Sequence, residues 1–266
     1  MTNKTPVYTL ITGAGRGLGR ALAEACAQEG LPLLLTSLAG EDLPATAAAL
    51  HTRYRLEVHH LELDLTRPGA PEELLRWTHD HGFTVRHLIN NAGLGSVGPF
   101  TSKDAAFLTR QIDLNVRVPV VLTRLFIDEL ARLPRSRILN IASMAGLTPM
   151  PYKVTYSNTK RFLQGFSLAL RQEYLHTPLR VCVAIPGPVR TNDMVIRRIN
   201  DQGFWGRAIT WYPEKVAPII IRGMLKGKAV ILPGFYEKFS FLAEKLIPSP
   251  AKLWLITRSF GDNPPS

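Results

Sequence analysis

Short apolar segments rich in β-branched residues alternate with segments of helical spacing along almost the whole chain. The strand-like segments are Val7–Thr12, Leu31–Ser37, Glu57–Leu63, Val85–Asn91, Ser136–Ala142, Leu179–Ile185 and Ala229–Leu232. The helix-like segments are Leu18–Gln28, Glu41–Tyr54, Pro71–His81, Asp104–Arg132, Val154–His176 and Pro213–Leu225. This alternation is typical of parallel strands joined by right-handed helical crossovers. The sequence therefore predicts an α/β fold with a doubly wound, mostly parallel sheet of about seven strands and helices on both faces.

No repeat or linker divides the chain, so we expect a single domain over residues 1–266. The long stretch at about 188–212 has no clear periodicity and follows a strand, where ligands bind in such folds, so we interpret it as a lid. A helical C-terminal extension is predicted at about 234–260. There Phe235, Phe239, Leu242 and Leu246 share one helical face, which would roof the substrate pocket or bind a partner subunit or anionic lipid.

The composition excludes several classes of protein. Cys26 and Cys182 are the two cysteines, and without CxxC or Cys/His spacing they predict neither a disulfide scaffold nor a metal site. No apolar run is long enough to span a bilayer and no signal peptide is recognisable, so a cytoplasmic location is expected. The net charge of +11 is scattered. Without a nucleic-acid-binding motif, it predicts no nucleic-acid partner.

A glycine-rich loop joins the first strand to the first helix in the run Thr12-Gly-Ala-Gly-Arg-Gly-Leu-Gly19. Glycines allow the sharp turn and the close approach of a pyrophosphate, which the helix N-terminus then binds. A structural turn is the alternative. The acid that would hold the ribose 2′-hydroxyl of NAD about 20 residues on is missing, and the second strand ends at Ser37. With Arg16 in the loop, this pattern favours NADP(H) over NAD(H).

Tyr156 and Lys160 lie four residues apart in a predicted helix and therefore share one face. A phenol has a pKa near 10, and a neighbouring ammonium group would lower it toward the range useful for acid/base catalysis. Ser143 follows a strand at the ligand-binding edge, and Asn115 lies inside a predicted helix that it either bends or connects to a polar site. Each residue alone also fits an ordinary structural role.

Together these motifs resemble, in order and spacing, the short-chain dehydrogenases/reductases of the single-domain subtype, from Val7 to about Leu232. The motifs that carry the resemblance are the glycine loop at 12–19, Asn90-Asn-Ala-Gly93, Asn115, Ser143, Tyr156-x-x-x-Lys160 and Pro186-Gly-Pro-Val-Arg-Thr191. One departure is Leu38, where NADP-preferring relatives often have an arginine.

The resemblance implies a Rossmann-like fold that binds NAD(P)(H) through four groups of residues. The pyrophosphate and adenosine ribose would be lined by Gly13, Arg16, Gly17, Leu18 and Gly19, with Ser37 near the 2′-position. The adenine would contact Asp64 and Leu65. The ribose would be flanked by Asn91, Ala92 and Gly93. The nicotinamide would be fixed by Pro186, Gly187, Val189 and Thr191.

The resemblance also implies the chemistry. Tyr156 would protonate a carbonyl oxygen, Ser143 would orient it, Lys160 would hold the nicotinamide ribose and lower the Tyr156 pKa, and Asn115 would hold a relay water. The sequence thus predicts an NADPH-dependent reductase of an apolar ketone or aldehyde. The alternative is an NADP-binding scaffold or sensor with vestigial activity, docked on a membrane surface. A homodimer or homotetramer is expected through the helices at 104–132 and 154–176.

Overall fold

A seven-stranded parallel sheet forms the centre of the structure, which is a computed structural model that describes residues 6–190, 210–246, 252 and 258. The strands are β1 (Val7–Thr12), β2 (Leu33–Ser37), β3 (Val58–Glu62), β4 (Thr84–Asn90), β5 (Arg137–Ile141), β6 (Arg180–Ala184) and β7 (Val230–Ile231). Their spatial order is β3-β2-β1-β4-β5-β6-β7, and all neighbouring pairs are parallel. The predicted doubly wound fold is confirmed. From β1 the chain adds strands first on one side, as β2 and β3, and then on the other side, beginning with β4. Ligands bind at such a switch point in the strand order.

Helices cover both faces of the sheet. They are α1 (Gly17–Gln28), α2 (Leu43–Tyr54), α3 (Ala70–Asp80), α4 (Ala105–Ile112), α5 (Val118–Leu130), α6 (Val154–Glu173), α7 (Pro213–Leu225) and α8 (Phe235–Leu246). One apolar core contains residues of α1, α2 and α7, and a second core contains residues of α3 and α5. The central strands are buried on both faces, as Leu33, Leu34 and Leu35 show, which explains their continuous apolar runs.

The predicted helix Asp104–Arg132 is not continuous. It consists of α4, a π-helical turn over Asp113–Arg117, and α5. Asn115 lies in the π-helical turn and is completely buried. Its side chain binds outside its own helix, and π-turns of this kind are frequent at functional sites. The sequence indicated that Asn115 bends the helix or faces a polar site, and in the structure its side chain faces polar groups of Leu94 and Thr159.

The predicted lid falls mostly outside the described residues, which resume at Thr210. Its two ends meet where Val189 forms an isolated parallel bridge with Trp211. Trp211 N donates to Pro188 O over 2.8 Å, and Arg190 N donates to Trp211 O over 3.0 Å. The residues on either side of positions 191–209 are therefore hydrogen-bonded to each other.

The orientation of α8 differs from the expected roof over the pocket. Phe235 is 83% exposed and Phe239 63% exposed, and Leu242 is exposed too, whereas Glu237 is buried. Glu237 turns inward because it accepts hydrogen bonds from two groups of the main body. The side chain of Leu246 lies outside the described set. None of the helices in the described part of the chain combines the length and apolar character needed to span a bilayer.

Candidate active site

The glycine loop lies at the point where β1 and β4 separate, and close packing explains its glycines. Gly13 has a φ of +66°, and a Cβ there would lie 2.9 Å from Ala92 Cα. A Cβ on Gly19 would lie 1.8 Å from the Gly13 carbonyl oxygen, which no real contact allows. Gly19 therefore lets α1 start directly against the loop.

Asn91 fixes this loop to the end of β4. Its Nδ2 donates to Thr12 O over 2.9 Å and to Gly13 O over 3.1 Å. In return, Thr12 Oγ1 accepts hydrogen bonds from the backbone N–H groups of Asn91 and Ala92, both over 3.0 Å. The two loops that would flank a dinucleotide are thus held in one network.

The N-terminus of α1 opens at this loop, and its first turn has neither an acidic residue nor a side-chain cap. Gly17, Leu18 and Gly19 form that turn, so their N–H groups and the positive end of the helix dipole suit an anion. The surface beside them is free of Cβ atoms at Gly13 and Gly15. These residues fit the pyrophosphate of a dinucleotide.

The two residues expected to contact the adenine, Asp64 and Leu65, follow β3. Leu65 is buried in the second core. Asp64 accepts from Thr66 and pairs with Arg110 over 3.0 Å. Burial acts to raise the pKa of Asp64, but the Thr66 hydrogen bonds and nearby arginine charges outweigh it and hold the pKa below its usual value. Ser37 is buried at the end of β2.

Tyr156 and Ser143 meet at the carboxyl edge of the sheet. Ser143 lies between β5 and a short 3₁₀ turn, and its Oγ accepts a hydrogen bond from Ala145 N over 3.1 Å. Burial raises the pKa of Tyr156, and the nearby side chain of Ser143 acts in the opposite direction. The structure thus places a phenol and a hydroxyl close together at this edge. Lys160 does not contribute to the pKa of Tyr156 in this structure. The expected lowering of that pKa by Lys160 stays a prediction for the enzyme with its dinucleotide bound.

Lys160 and Asn115 approach the same glycine from two helices. A Cβ on Gly93 would lie 3.2 Å from Asn115 Oδ1 and 3.3 Å from Lys160 Nζ. Lys160 Nζ donates to Ile141 O over 2.8 Å, and Asn115 Nδ2 donates to Thr159 Oγ1 over 3.0 Å. Gly93 therefore lies between the two polar groups, and a larger residue there would press on both.

Asn115 also holds the loop after β4. Its Oδ1 accepts from Leu94 N over 2.8 Å, and its Nδ2 donates to Leu94 O over 3.0 Å. Gln111, one turn earlier, donates to the same carbonyl over 3.0 Å. Sequence reasoning missed Gln111, a completely buried polar residue that no motif singles out.

Burial of Lys160 gives a prediction about stability. Burial lowers the pKa of Lys160 from 10.5 to about 8, so holding its charge costs the folded state roughly 3 kcal/mol. We expect Lys160→Met to lose turnover but to be at least as stable as the wild type at about pH 7. Between about pH 8 and 10.5 the unfolded wild type binds more protons than the folded one, so wild-type stability rises and the advantage of the variant shrinks.

Thermal unfolding of both proteins at about pH 7 and pH 9.5 measures this difference. Lys226→Met, at an exposed lysine beyond α7, is the matched control and should show no such pH dependence. A Lys160→Met variant that is clearly less stable than the wild type at pH 7 would contradict the prediction.

Beyond β6, Pro186 and Gly187 are buried and Val189 is partly buried, whereas Thr191 lies outside the described residues. Pro186 O accepts from Met144 N over 3.0 Å, which connects this loop to the turn after Ser143. Gly187 N donates to Glu237 Oε1 over 3.1 Å, and Trp211 Nε1 donates to the same oxygen. Glu237 of α8 thus holds both ends of the 191–209 segment.

Sequence reasoning missed Glu237, which belongs to no motif. We expect Glu237→Ala to leave the Gly187 and Trp211 N–H groups without a partner, which costs roughly 2 kcal/mol or more. The KM for the dinucleotide should then rise more than kcat falls, because Gly187 belongs to the predicted nicotinamide loop. Steady-state kinetics and thermal unfolding measure both effects.

Glu237→Gln keeps an oxygen at the same position and is the conservative control. It should restore KM to near the wild-type value. Equal kinetics for Glu237→Ala and the wild type would show that the contact has no influence on the loop.

Comparison with known families agrees with this geometry. The family model described as short chain dehydrogenase matches residues 8–202, which is well over half of the chain. Among curated relatives, the chain is 27% identical to the very-long-chain 3-oxoacyl-CoA reductase-A of Danio rerio over 202 residues. That match covers 74% of this chain and 63% of the relative, so the chain spans less than two thirds of that relative's length.

Two further matches cover more of both chains. The 3-oxoacyl-[acyl-carrier-protein] reductase FabG of Aquifex aeolicus is 26% identical over 219 residues, which are 80% of this chain and 88% of the relative. Among solved structures, a short-chain dehydrogenase from Sphingobium yanoikuyae in complex with NADPH superposes with a TM-score of 0.73 at 25% identity. The superposition covers 91% of this chain and 94% of the Sphingobium yanoikuyae chain.

Proposed function

The chain belongs to the short-chain dehydrogenase/reductase family, and we propose that it reduces the carbonyl group of an apolar ketone or aldehyde with NADPH as the preferred dinucleotide. It is an oxidoreductase that acts on alcohol and carbonyl groups, as its relatives are. The observation that carries the proposal is the grouping of Ser143, Tyr156 and Lys160 at the same edge of the sheet as the glycine loop.

Four residues act on the substrate oxygen and its surroundings in the proposed mechanism. A bound dinucleotide supplies the hydride. Ser143 and Tyr156 donate hydrogen bonds to the substrate oxygen as negative charge develops on it, and Tyr156 gives up its phenolic proton. Lys160 holds positive charge near Tyr156 and favours the phenolate. Asn115 keeps the Leu94 main chain in place and presents its Oδ1 beside Gly93.

The complete set of Asn115, Ser143, Tyr156 and Lys160 argues against the scaffold alternative, since a scaffold needs no such phenol. The test is NADPH oxidation with a panel of ketones and aldehydes. Turnover of at least one apolar carbonyl compound is expected. Dinucleotide binding without turnover of any carbonyl would favour the scaffold.

An apolar substrate is supported by the residues around the tyrosine. A Cβ on Gly95 would lie 3.9 Å from the Tyr156 ring. Phe100 and Met150 belong to the flanking segments. Of the large apolar residues in the predicted lid, Trp211 is described, whereas Met194, Phe204 and Trp205 lie outside the described residues. The relatives from Danio rerio and Aquifex aeolicus are both named as 3-oxoacyl reductases. An acyl, aromatic or steroid-like carbonyl therefore belongs first in the panel.

The preference for NADPH is supported by three features. Arg16 is exposed at the glycine loop, Ser37 ends β2, and Leu38 after it carries no charge. A carboxylate at the end of β2 would repel a 2′-phosphate, and none is present at these two positions. NADPH is also bound in the Sphingobium yanoikuyae structure. Titration with NADPH and NADH measures the preference directly.

A homo-oligomer is supported by apolar side chains on α4 and α6. Ile112 is 47% exposed and Phe162 is 43% exposed, and Phe162 stacks on Phe166 with ring centroids 5.8 Å apart. We expect the double variant Ile112→Glu/Phe162→Glu to shift the protein to monomers, because burying two new carboxylates in an interface is unfavourable. Light scattering measures the mass.

Leu175→Glu is the matched control, because Leu175 is similarly exposed but follows α6. It should keep the wild-type mass. A wild-type protein that is already monomeric at high concentration would contradict the oligomer proposal and leave the enzymatic proposal untouched.

A further inference from the structure

An acidic residue lies at the adenosine end, at a position where sequence spacing did not place one. Glu41 follows β2 by four residues, and the turn returns it to the end of that strand. The Ser37 hydroxyl donates to its carboxylate, and Arg16 Nε lies 2.9 Å from Glu41 Oε1. The Glu41 side chain is 16% exposed, whereas that of Arg16 is 67% exposed. An exposed cation is therefore paired with a largely buried anion.

Close packing keeps Glu41 at this position. A Cβ on Gly15 would lie 2.5 Å from Glu41 O, 2.8 Å from Glu41 Cβ and 3.0 Å from Ser37 Oγ. The glycine loop therefore rests directly on Glu41 and Ser37. Arg16, the next residue, extends from the loop to reach the carboxylate.

We infer that Glu41 competes with the 2′-phosphate of NADP(H) for the Arg16 guanidinium and thereby limits the preference for NADP(H) over NAD(H). The inference rests on the proposed function, in which Arg16 is the cation that selects the phosphate. Glu41 is thus a specificity-determining residue at the adenosine end, and it takes no part in the reaction at the nicotinamide end.

Charge explains the direction of the effect. The Arg16–Glu41 pair is neutral, so it offers no net attraction to a 2′-phosphate, which carries a charge of about −2. The phosphate can displace the carboxylate from Arg16 or bind the remaining N–H groups of the guanidinium beside it, and in either case the negative charge of Glu41 opposes its binding. Arg16 is exposed enough to change partner, because an ion pair with one solvated member is weak. The ribose hydroxyl of NAD(H) is uncharged and meets no such repulsion.

The test uses Glu41→Gln, which keeps the size of the side chain and an oxygen for Ser37 but removes the charge. Dissociation constants are measured by titration for NADPH, NADH, adenosine 2′,5′-bisphosphate and adenosine 5′-phosphate. We expect the variant to bind NADPH and the bisphosphate roughly fivefold or more tightly than the wild type. Binding of NADH and adenosine 5′-phosphate should stay within about twofold.

Two further variants isolate the cause. Glu24→Gln removes the charge from a comparable pair, Arg53–Glu24 at 2.8 Å, and should leave all four constants unchanged. In an Arg16→Gln background, Glu41→Gln should have little effect on NADPH binding, because the guanidinium for which the carboxylate and the phosphate compete is absent.

Each outcome has a distinct meaning. Unchanged NADPH binding in Glu41→Gln overturns the inference alone, and weaker binding shows instead that Glu41 positions Arg16 for the phosphate. If the wild type binds neither dinucleotide nor the bisphosphate, both the inference and the proposed function are wrong.

Discussion

Replacing Tyr156 with phenylalanine is expected to lower kcat on the order of 10³-fold, with little change in dinucleotide affinity. In the proposed mechanism the phenol gives a proton to the substrate oxygen, and its ring can stay in position when the hydroxyl is removed. Ser143 keeps one hydrogen bond to that oxygen, so a small residual rate should remain. The measurement is single-turnover NADPH oxidation with the best carbonyl compound of the panel.

Tyr54→Phe is the matched control. Tyr54 is the last residue of α2, and its hydroxyl donates to Glu24 of α1. Removing this hydroxyl should leave turnover unchanged. Undiminished turnover in Tyr156→Phe would refute the assigned role of the phenol, and then the reductase mechanism would need another acid.

The second large effect is expected for Gly19→Ala, which should abolish dinucleotide binding and lower the free energy of unfolding by several kcal/mol. The new Cβ would lie 1.8 Å from Gly13 O and 2.7 Å from Gly13 C, so the loop or α1 has to move. Asn91 Nδ2 lies 2.6 Å from the same point, and therefore the network that holds the two loops is strained as well. Titration calorimetry and thermal unfolding measure the two losses.

Gly165→Ala makes the same chemical change in α6, where a Cβ meets no atom within 4 Å. It should leave binding unchanged and stabilise the protein by about 0.5–1 kcal/mol, because alanine favours the helix. If Gly19→Ala bound the dinucleotide normally, the glycine loop would not be the pyrophosphate site.

Fold class followed from the sequence because each strand and helix has its own local pattern. The Leu33–Leu35 run and the helical spacing after Gly17 are properties of neighbouring residues, and few sheet topologies are compatible with right-handed crossovers. The interruption at Asn115 was partly visible in the same way. Its exact form was not, since the π-helical turn depends on contacts with Leu94 and Thr159.

Motif residues of the candidate site could be identified because their spacing is short and their chemistry is distinctive. Tyr156 and Lys160 are one helical turn apart, and a glycine loop after a strand is recognisable by itself. By contrast, Glu41 and Glu237 belong to no motif. Their partners are Arg16, 25 positions earlier, and Gly187, 50 positions earlier, so periodicity carries no signal for either contact.

The linear order of residues was thus sufficient for the alternation of strands and helices, the glycine loop and the tyrosine–lysine pair, since neighbours along the chain decide all three. The side of α8 that faces the protein came only from the folded molecule. The sequence left a roof over the pocket, a partner subunit and anionic lipid open for its apolar stripe. Phe235 and Phe239 are exposed rather than packed as a roof, and Glu237 accepts hydrogen bonds from Gly187 and Trp211 instead. A buried donor must be satisfied, and which donors a helix meets depends on segments that come together only in three dimensions.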